Sequence, residues 1–277
     1  MKTILLTGSK GFIGKNLMNQ LRENGEEIII EVNEDIFDSE NWYEHLLNLL
    51  ITNQPQVIYH VGACSNTLEQ DVNYMMKLNF EFTKLLVDWS KITNSKLIYS
   101  SSAANYGQND RYPSNLYGWS KYVAEQYVIS NNGIALRYFN VYGPGEENKG
   151  VMSSVAYQSF IKKIEEGKSW KLFPKKPTRD FVYIKDVVSA NLYAEKNYKN
   201  LNKNWYEVGS GQSRLFEEIL DCMGVLYYYH DESVIPKGYQ FYTCSNEKKW
   251  MDGWFPEFSI EKGAKEYKNY LLLSMNK

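Results

Sequence analysis

"TGSKGFIG", residues 7–14, follows a short apolar run, "TILL" (3–6), and leads into "GFIGKNLMNQLREN" (11–24). Phe12, Leu17, Met18 and Leu21 recur on one helical face, so a strand followed by an amphipathic helix is predicted here. Between them lies Gly8-x-x-Gly11-x-x-Gly14. Glycine allows the chain to turn sharply and lets a pyrophosphate approach the main-chain N–H groups at the start of the helix. Three spaced glycines also arise by chance. The strand before them and the helix after them are the context that gives them meaning, and the segment reads as a dinucleotide-binding turn.

The pattern continues outward from that turn. "EIIIE" (27–31) reads as a strand and "SENWYEHLLNLL" (39–50) as a helix capped by Ser39. Then come "QVIYH" (56–60), a long helical stretch over 71–91, "KLIYSSS" (96–102), a helix over 116–130 and "IALRYF" (134–139). Strands alternating with helices predict an α/β fold: a Rossmann-like, doubly wound parallel sheet covered on both faces. The span from Glu31 to Asp35 is too short for a further helix and strand, so one crossover unit is missing after strand 2.

After about residue 145 the rhythm changes. Residues 152–167 look helical, "KPTRDFVYIKDVV" (176–188) looks like a strand running into a helix, and 201–277 is irregular and rich in Tyr and Trp. The expected division is a dinucleotide-binding domain of 1–145 plus about 180–205. A smaller substrate-binding lobe takes about 146–179 plus 206–277.

Composition narrows the classes. The 277 residues carry a formal charge of −2, without the basic excess that nucleic-acid binding requires. The three cysteines, Cys64, Cys222 and Cys244, are too few and scattered for a disulfide frame, and His45, His60 and His230 share no metal-ligand spacing. No metal is expected. No apolar run approaches a membrane span and the opening residues do not read as a signal peptide, so a reduced cytoplasm is the natural setting.

Three further features carry chemistry. Glu31, at the end of the second strand, is placed to bind the adenosine ribose, with Asp35 and Ile36 near the adenine edge; a solvated strand end would look the same. No Arg or Lys lies near Glu31 in sequence to hold a ribose 2′-phosphate, which favours NAD, with NADP the alternative. In "NLYGWSKYVAEQY" (115–127), Tyr117 and Lys121 fall on one helical face. An ammonium beside a phenol favours the phenolate, which takes a proton from an alcohol as hydride leaves the carbon. Ser102, in "YSSSAANYG" (99–107), ends a strand where ligands bind in such sheets, and its hydroxyl can align the reacting oxygen. His60, in apolar "VIYH", reads as a core histidine, and the Tyr/Trp-rich stretch 226–254 as packing.

"TGSKGFIG", "SSAANYG", "YGWSK" and "RYFNVYGPG" (137–145), in this order, resemble the extended short-chain dehydrogenase/reductases, in the NAD-dependent epimerase/dehydratase branch. "GACSNTLEQDVNYMMKLN" (62–79), "GEENKGVMSSVAY" (145–157) and "RDFVYIKDV" (179–187) are similar to the ADP-glycero-manno-heptose 6-epimerases within it. The resemblance implies Phe12 and Ile13 beside the glycines at the pyrophosphate. It implies Gly62, Ala63 and Cys64 along the two riboses, with Asn79 supporting that strand and Val141 lining the nicotinamide pocket. Ser102, Tyr117 and Lys121 become a triad in which Lys121 also binds the nicotinamide ribose. A nucleotide-diphosphate sugar would meet Ser65, Asn140, Arg179 for its diphosphate, and Tyr239 from the small lobe. Lys149, in "EENKGVM" (146–152), takes the place of a second acid/base facing the tyrosine across the sugar. The reaction implied is epimerisation by transient oxidation and re-reduction at a carbinol carbon. It also implies a homo-oligomer, paired through 71–91 and 116–130.

Two departures stand out. Val151 and Gln158 occupy substrate positions where that group has a small hydroxyl residue and a histidine, and the adenosine loop with its NADP-supporting lysine is absent. A 4-epimerase or a 4-keto reductase therefore stays open as an alternative. Ala103 and Ala104 after Ser102 disfavour a dehydratase, and the intact Tyr117 disfavours a non-catalytic, cofactor-sensing regulator.

Overall fold

The computed structural model of the chain describes residues 2–26, 28–62, 64–108, 112–235 and 240–275. In chain order its first half runs β1 (Thr3–Thr7), α1 (Phe12–Glu23), β2 (Ile28–Val32), α2 (Glu34–Phe37), α3 (Trp42–Asn53), β3 (Val57–His60), α4 (Val72–Met76), α5 (Phe82–Thr93), β4 (Lys96–Ser102), α6 (Leu116–Ser130) and β5 (Ile134–Tyr138). Its second half runs β6 (Asn140–Tyr142), α7 (Val155–Glu166), β7 (Trp170–Leu172), β8 (Thr178–Tyr183), α8 (Ile184–Lys196), β9 (Trp205–Val208), β10 (Ser213–Leu215), α9 (Phe216–Met223), β11 (Tyr227–Tyr229) and α10 (Ile260–Met275).

The central sheet is parallel, in the order β2-β1-β3-β4-β5-β9. Its strands are mostly apolar on both faces because alternate side chains enter opposite cores. Ile4, Leu6, Tyr59, Ile98 and Leu136 join the core under α1 and α8, whereas Leu5, Ile58, Leu97, Tyr99 and Ala135 join the core with α3 and α5. β2 pairs only with β1 and ends the sheet, as the missing crossover unit requires. A three-stranded sheet, β10-β8-β6, and a two-stranded one, β11-β7, lie beyond it.

The structure amends several expectations. β9 joins the central sheet as its last strand, beside β5. The helix expected to open at Ser39 is α3, which begins at Trp42, and Ser39 instead accepts from the Asn41 N–H at 3.2 Å, outside the helix. The stretch 71–91 is interrupted by a wider π-turn at Lys77–Glu81. This turn carries Asn79, whose amide reaches the Ser120 hydroxyl (2.8 Å) and the Cys64 carbonyl (3.2 Å); such turns commonly re-aim one side chain at a site. The stretch 201–277, irregular by its sequence pattern, ends in the helix α10. Its Gly263 obscured the pattern of Ile260, Ala264, Tyr267 and Leu271, yet that glycine lets the Tyr142 hydroxyl approach the helix. Among the described residues no helix is long and apolar enough to cross a membrane.

Candidate active site

The glycine turn packs too closely for side chains. Gly8 adopts φ +68° and donates its N–H to the Val32 carbonyl at 2.7 Å. A Cβ on Gly8 would lie 2.5 Å from the Gly62 Cα, and a Cβ on Gly14 would collide with the Gly8 carbonyl. Helix α1 starts at Gly11 without a side-chain cap and without an acid in its first turn. Its leading N–H groups therefore face a cavity of about 450 Å³ lined by Gly8, Gly11, Phe12, Ile13 and Gly14. The cradle fits a dinucleotide pyrophosphate, which needs close backbone approach and a positive helix end.

The cavity continues past Gly62, Cys64, Ser65 and Asn66 on one side and Glu34, Phe37, Asp38 and Tyr74 on the other. Glu31, Asp35 and Ile36 do not line it. β2 extends to Val32, and the Glu31 carboxylate turns back to accept from the Ser9 hydroxyl (2.5 Å) and to pair with Arg22 (3.3 Å). Arg22, distant in sequence, thus neighbours Glu31, contrary to the sequence reading. Glu34 and Asp38, one helical turn apart across α2, present the acids instead. Ala63 and Tyr239 lie outside the described residues.

His60 is the core histidine expected. Thr7 Oγ1 accepts from the Gly62 N–H (2.8 Å) and donates to His60 Nδ1 (2.8 Å), a direction set by the other ring nitrogen. Thr83 Oγ1 donates to the Asn79 carbonyl (2.8 Å) and so accepts from His60 Nε2–H (2.8 Å). The partners fix a neutral tautomer, and burial pushes its pKa down to about 3. This chain of bonds links Gly62, which braces the glycine turn, to the π-turn. Asn79 Oδ1 remains buried without a partner.

Ser102 ends β4, and its hydroxyl bonds to Tyr117 in the first turn of α6 and accepts from the Ala104 N–H at 3.1 Å. Burial raises the Tyr117 phenol above its ordinary range, and the Ser102 bond opposes that. Lys121 Nζ donates to the Ser100 carbonyl at 2.7 Å and lies 4.8 Å from the Tyr99 ring centroid, while burial lowers its own pKa to about 8. Behind this group, fully buried Glu125 holds β4 to α6. It accepts from Ser101 (2.5 Å), Asn105 (2.9 Å) and Arg137 Nε (2.8 Å).

Lys149 lies in a short 3₁₀ segment, Glu147–Met152, that crosses the cavity mouth; Asn148, Lys149 and Met152 line it opposite the glycine turn. Its Nζ is 5.4 Å from the Phe12 ring centroid, and burial lowers its pKa while Glu146 raises it. Val151 is 77% exposed. Gln158 turns inward and donates to the carbonyls of Val151 (3.2 Å) and Ser153 (2.6 Å). Asn140 is exposed just past the C-terminal edge of β5, and Val141 pairs across to Val182 against the core. Arg179 is buried on β8, donating to the Thr178 carbonyl (2.8 Å) with its guanidinium 5.6 Å from the Phe216 centroid. Asn140, Val141, Val151, Gln158 and Arg179 do not reach the cavity under the glycine turn. Sequence reasoning missed Glu34, Phe37, Asp38 and Tyr74, because only the fold brings α2 and α4 to one cavity.

Fold and site define a dinucleotide-binding α/β enzyme with a Ser-Tyr-Lys group at the carboxyl edge of its sheet. A model of the NAD dependent epimerase/dehydratase family matches residues 4–209, and the chain belongs to that family. It is 32% identical, over 97% of each chain, to the ADP-L-glycero-D-manno-heptose-6-epimerase of Brachyspira hyodysenteriae. The crystal structure of the Helicobacter pylori ADP-L-glycero-D-manno-heptose-6-epimerase superposes with a TM-score of 0.84 at 27% identity, covering 98% of this chain and 96% of that one. The UDP-glucose 4-epimerase of Thermotoga maritima shares the fold, with a TM-score of 0.81 at 23% identity and 99% of both chains covered.

Proposed function

We propose that the protein is a 6-epimerase of a nucleotide-activated heptose. The observation that carries this reading is Lys149 at the mouth of the cofactor cavity, in a chain whose Ser102, Tyr117 and Lys121 form a separate group at the end of β4. Relatives named for that reaction across the whole chain support it.

The glycine turn and the α1 N-terminus would hold the pyrophosphate of NAD, with Gly62 and Cys64 along its riboses. Bound there, NAD supplies a hydride acceptor, then a hydride donor, and a positive charge beside the site. Tyr117 takes the carbinol proton, with Ser102 hydrogen-bonded to the same oxygen to align it. The resulting carbonyl rotates to present its other face, Lys149 gives a proton to the oxygen from the opposite side, and exchange with solvent then removes the proton from Tyr117 and restores the one on Lys149. Two proton groups are useful because one is well placed for only one epimer. Arg179, with its bidentate fork, is assigned to the substrate diphosphate, and Asn140 to the sugar. The segments beyond the central sheet form the substrate lobe in this reading.

We also infer a homo-oligomer paired through the helices at 71–91 and 116–130, where Val72 and Trp119 are exposed. The free cysteines suit a cytoplasmic setting. The deciding experiment is turnover of ADP-heptose against UDP- and GDP-sugars, with product stereochemistry read by NMR. Inversion at C6 of the heptose without net consumption of reduced cofactor is expected. Inversion at C4, or stoichiometric cofactor oxidation, would establish one of the alternative activities.

A further inference from the structure

The segment that carries Lys149 is held by one acid. Glu146 is fully buried and does not line the cofactor cavity. Its Oε1 accepts from the Gly143 N–H (3.2 Å) and the Ser154 hydroxyl (2.7 Å), and its Oε2 accepts from the Ser154 N–H (2.5 Å). The two ends of the segment thus meet on one carboxylate. Its main chain adds to this: the Glu146 carbonyl accepts from the Lys149 N–H (3.0 Å) and the Ser153 hydroxyl (3.2 Å). Asn16 of α1 fixes the entrance, donating to the carbonyls of Phe12 (2.9 Å) and Pro144 (2.8 Å). Between these anchors Gly150 stands at φ +54° with open space around it, so the segment has little packing of its own.

We propose that Glu146 is the positioning residue for Lys149, closing the segment into a loop that sets the ammonium over the first turn of α1. The proposal rests on the role given to Lys149 above. A buried carboxylate suits the task because it accepts from both ends of the loop at once, Oε1 from the Gly143 N–H and the Ser154 hydroxyl and Oε2 from the Ser154 N–H, and such charge-assisted bonds are strong. Its negative charge also favours the protonated form of Lys149 against the burial that opposes it. The titratable groups facing this acid are few. Lys149 and Glu147 belong to its own segment, Tyr157 comes from α7, and Tyr267 from α10 brings a buried hydroxyl without a well-formed hydrogen bond. Burial and nearby carboxylates keep both phenols protonated, so neither competes for the lysine's charge.

The test is trace acetylation of the purified holoenzyme with acetic anhydride across a pH series, with Lys149 and Lys121 read separately by peptide mass spectrometry. Glu146→Gln should raise the reactivity of Lys149 several-fold and shift its profile to lower pH. Lys121 should be unchanged, kcat should fall, and KM should hold. Ser154→Ala, which keeps the Ser154 N–H bond but removes the hydroxyl, should give a smaller rise in the same direction. It also carries the test if Glu146→Gln does not fold. Unchanged Lys149 reactivity in whichever variant is folded, or an equal rise at Lys121, overturns the proposal. The labelling needs no substrate. If wild-type enzyme epimerises no nucleotide sugar, the functional reading falls while the reactivity comparison still decides the role of Glu146.

Discussion

The Lys149 ammonium sits 5.4 Å from the centre of the Phe12 ring, so residues far apart in sequence meet over the first turn of α1. Phe12 lies inside the glycine turn and Lys149 in the segment that crosses the cavity mouth. The aromatic face supports the cation without neutralising it, which leaves a proton available for transfer.

Replacing Lys149 with Met keeps an unbranched apolar stem, one atom shorter, and removes that proton. The expected result is a fall in epimerisation kcat of about 10²-fold or more, the usual scale for a lost acid/base group. Cofactor content in the purified protein should be unchanged. Tyr117→Phe should show a loss of similar scale. Wild-type turnover in Lys149→Met, followed by NMR of the sugar, would remove this residue from the chemistry.

Much of the fold was legible because each strand–helix pair repeats one pattern. The missing crossover unit was visible simply as too few residues between β2 and Asp35. The site was legible where function imposes a local motif, as at Gly8, Gly11 and Gly14, or at Tyr117 and Lys121. The adenosine end was not. Glu31 and Glu34 look equally suitable in a line of text, and a one-residue extension of β2 decides which acid turns toward the cavity. Glu146 had no motif at all, since its partners Gly143 and Ser154 are recognised only once the loop is closed.

Lys121 is buried, and its pKa is lowered to about 8. Between that value and the ordinary lysine range the unfolded chain binds the proton and the folded protein does not, so stability rises with pH across the window. At pH 7 the buried charge costs about 3 kcal/mol. Lys121→Met should therefore melt higher than the wild type near neutrality in the cofactor-free state, while losing activity. The gap in melting temperature should narrow from pH 7 toward pH 10. A gap that widens would contradict the sign of this shift.

The pair Glu125–Arg137 is buried behind Ser102, and the guanidinium also stacks 3.9 Å from the Trp205 ring centroid. Arg137→Met leaves the carboxylate without its counter-charge and should destabilise the fold by about 3–5 kcal/mol in denaturant unfolding. Combining it with Glu125→Gln should recover part of that loss. Because Glu125 also holds Ser101 and Asn105, kcat should fall in the single variant even where the protein remains folded.

Gly62→Ala tests the cofactor cradle directly. The added Cβ would lie 2.6 Å from the Gly8 nitrogen and 2.9 Å from the Phe37 ring. Neither backbone can retreat without opening the turn, so the variant should purify with little cofactor and show weakened NAD binding. Overall stability should change less, because the clash is confined to the turn. Full cofactor occupancy in this variant would show that the glycines do not form the pyrophosphate site.

The last prediction concerns the choice between NAD and NADP. Glu34 and Asp38 line the cavity beside Phe37 and Tyr74, while Arg22 is paired with Glu31, and neither of that pair lines it. A 2′-phosphate carries close to two negative charges, and bringing it beside these two carboxylates is unfavourable. Replacing both acids by their amides removes that repulsion and changes little else, since amide and carboxylate match in shape. The ratio of NADP to NAD dissociation constants should then fall by about tenfold, equivalent to about 1.4 kcal/mol. The effect should shrink at high ionic strength, because both acids are near solvent and salt screens them. Calorimetric titration at two salt concentrations separates this electrostatic selection from a steric one, which salt would leave unchanged.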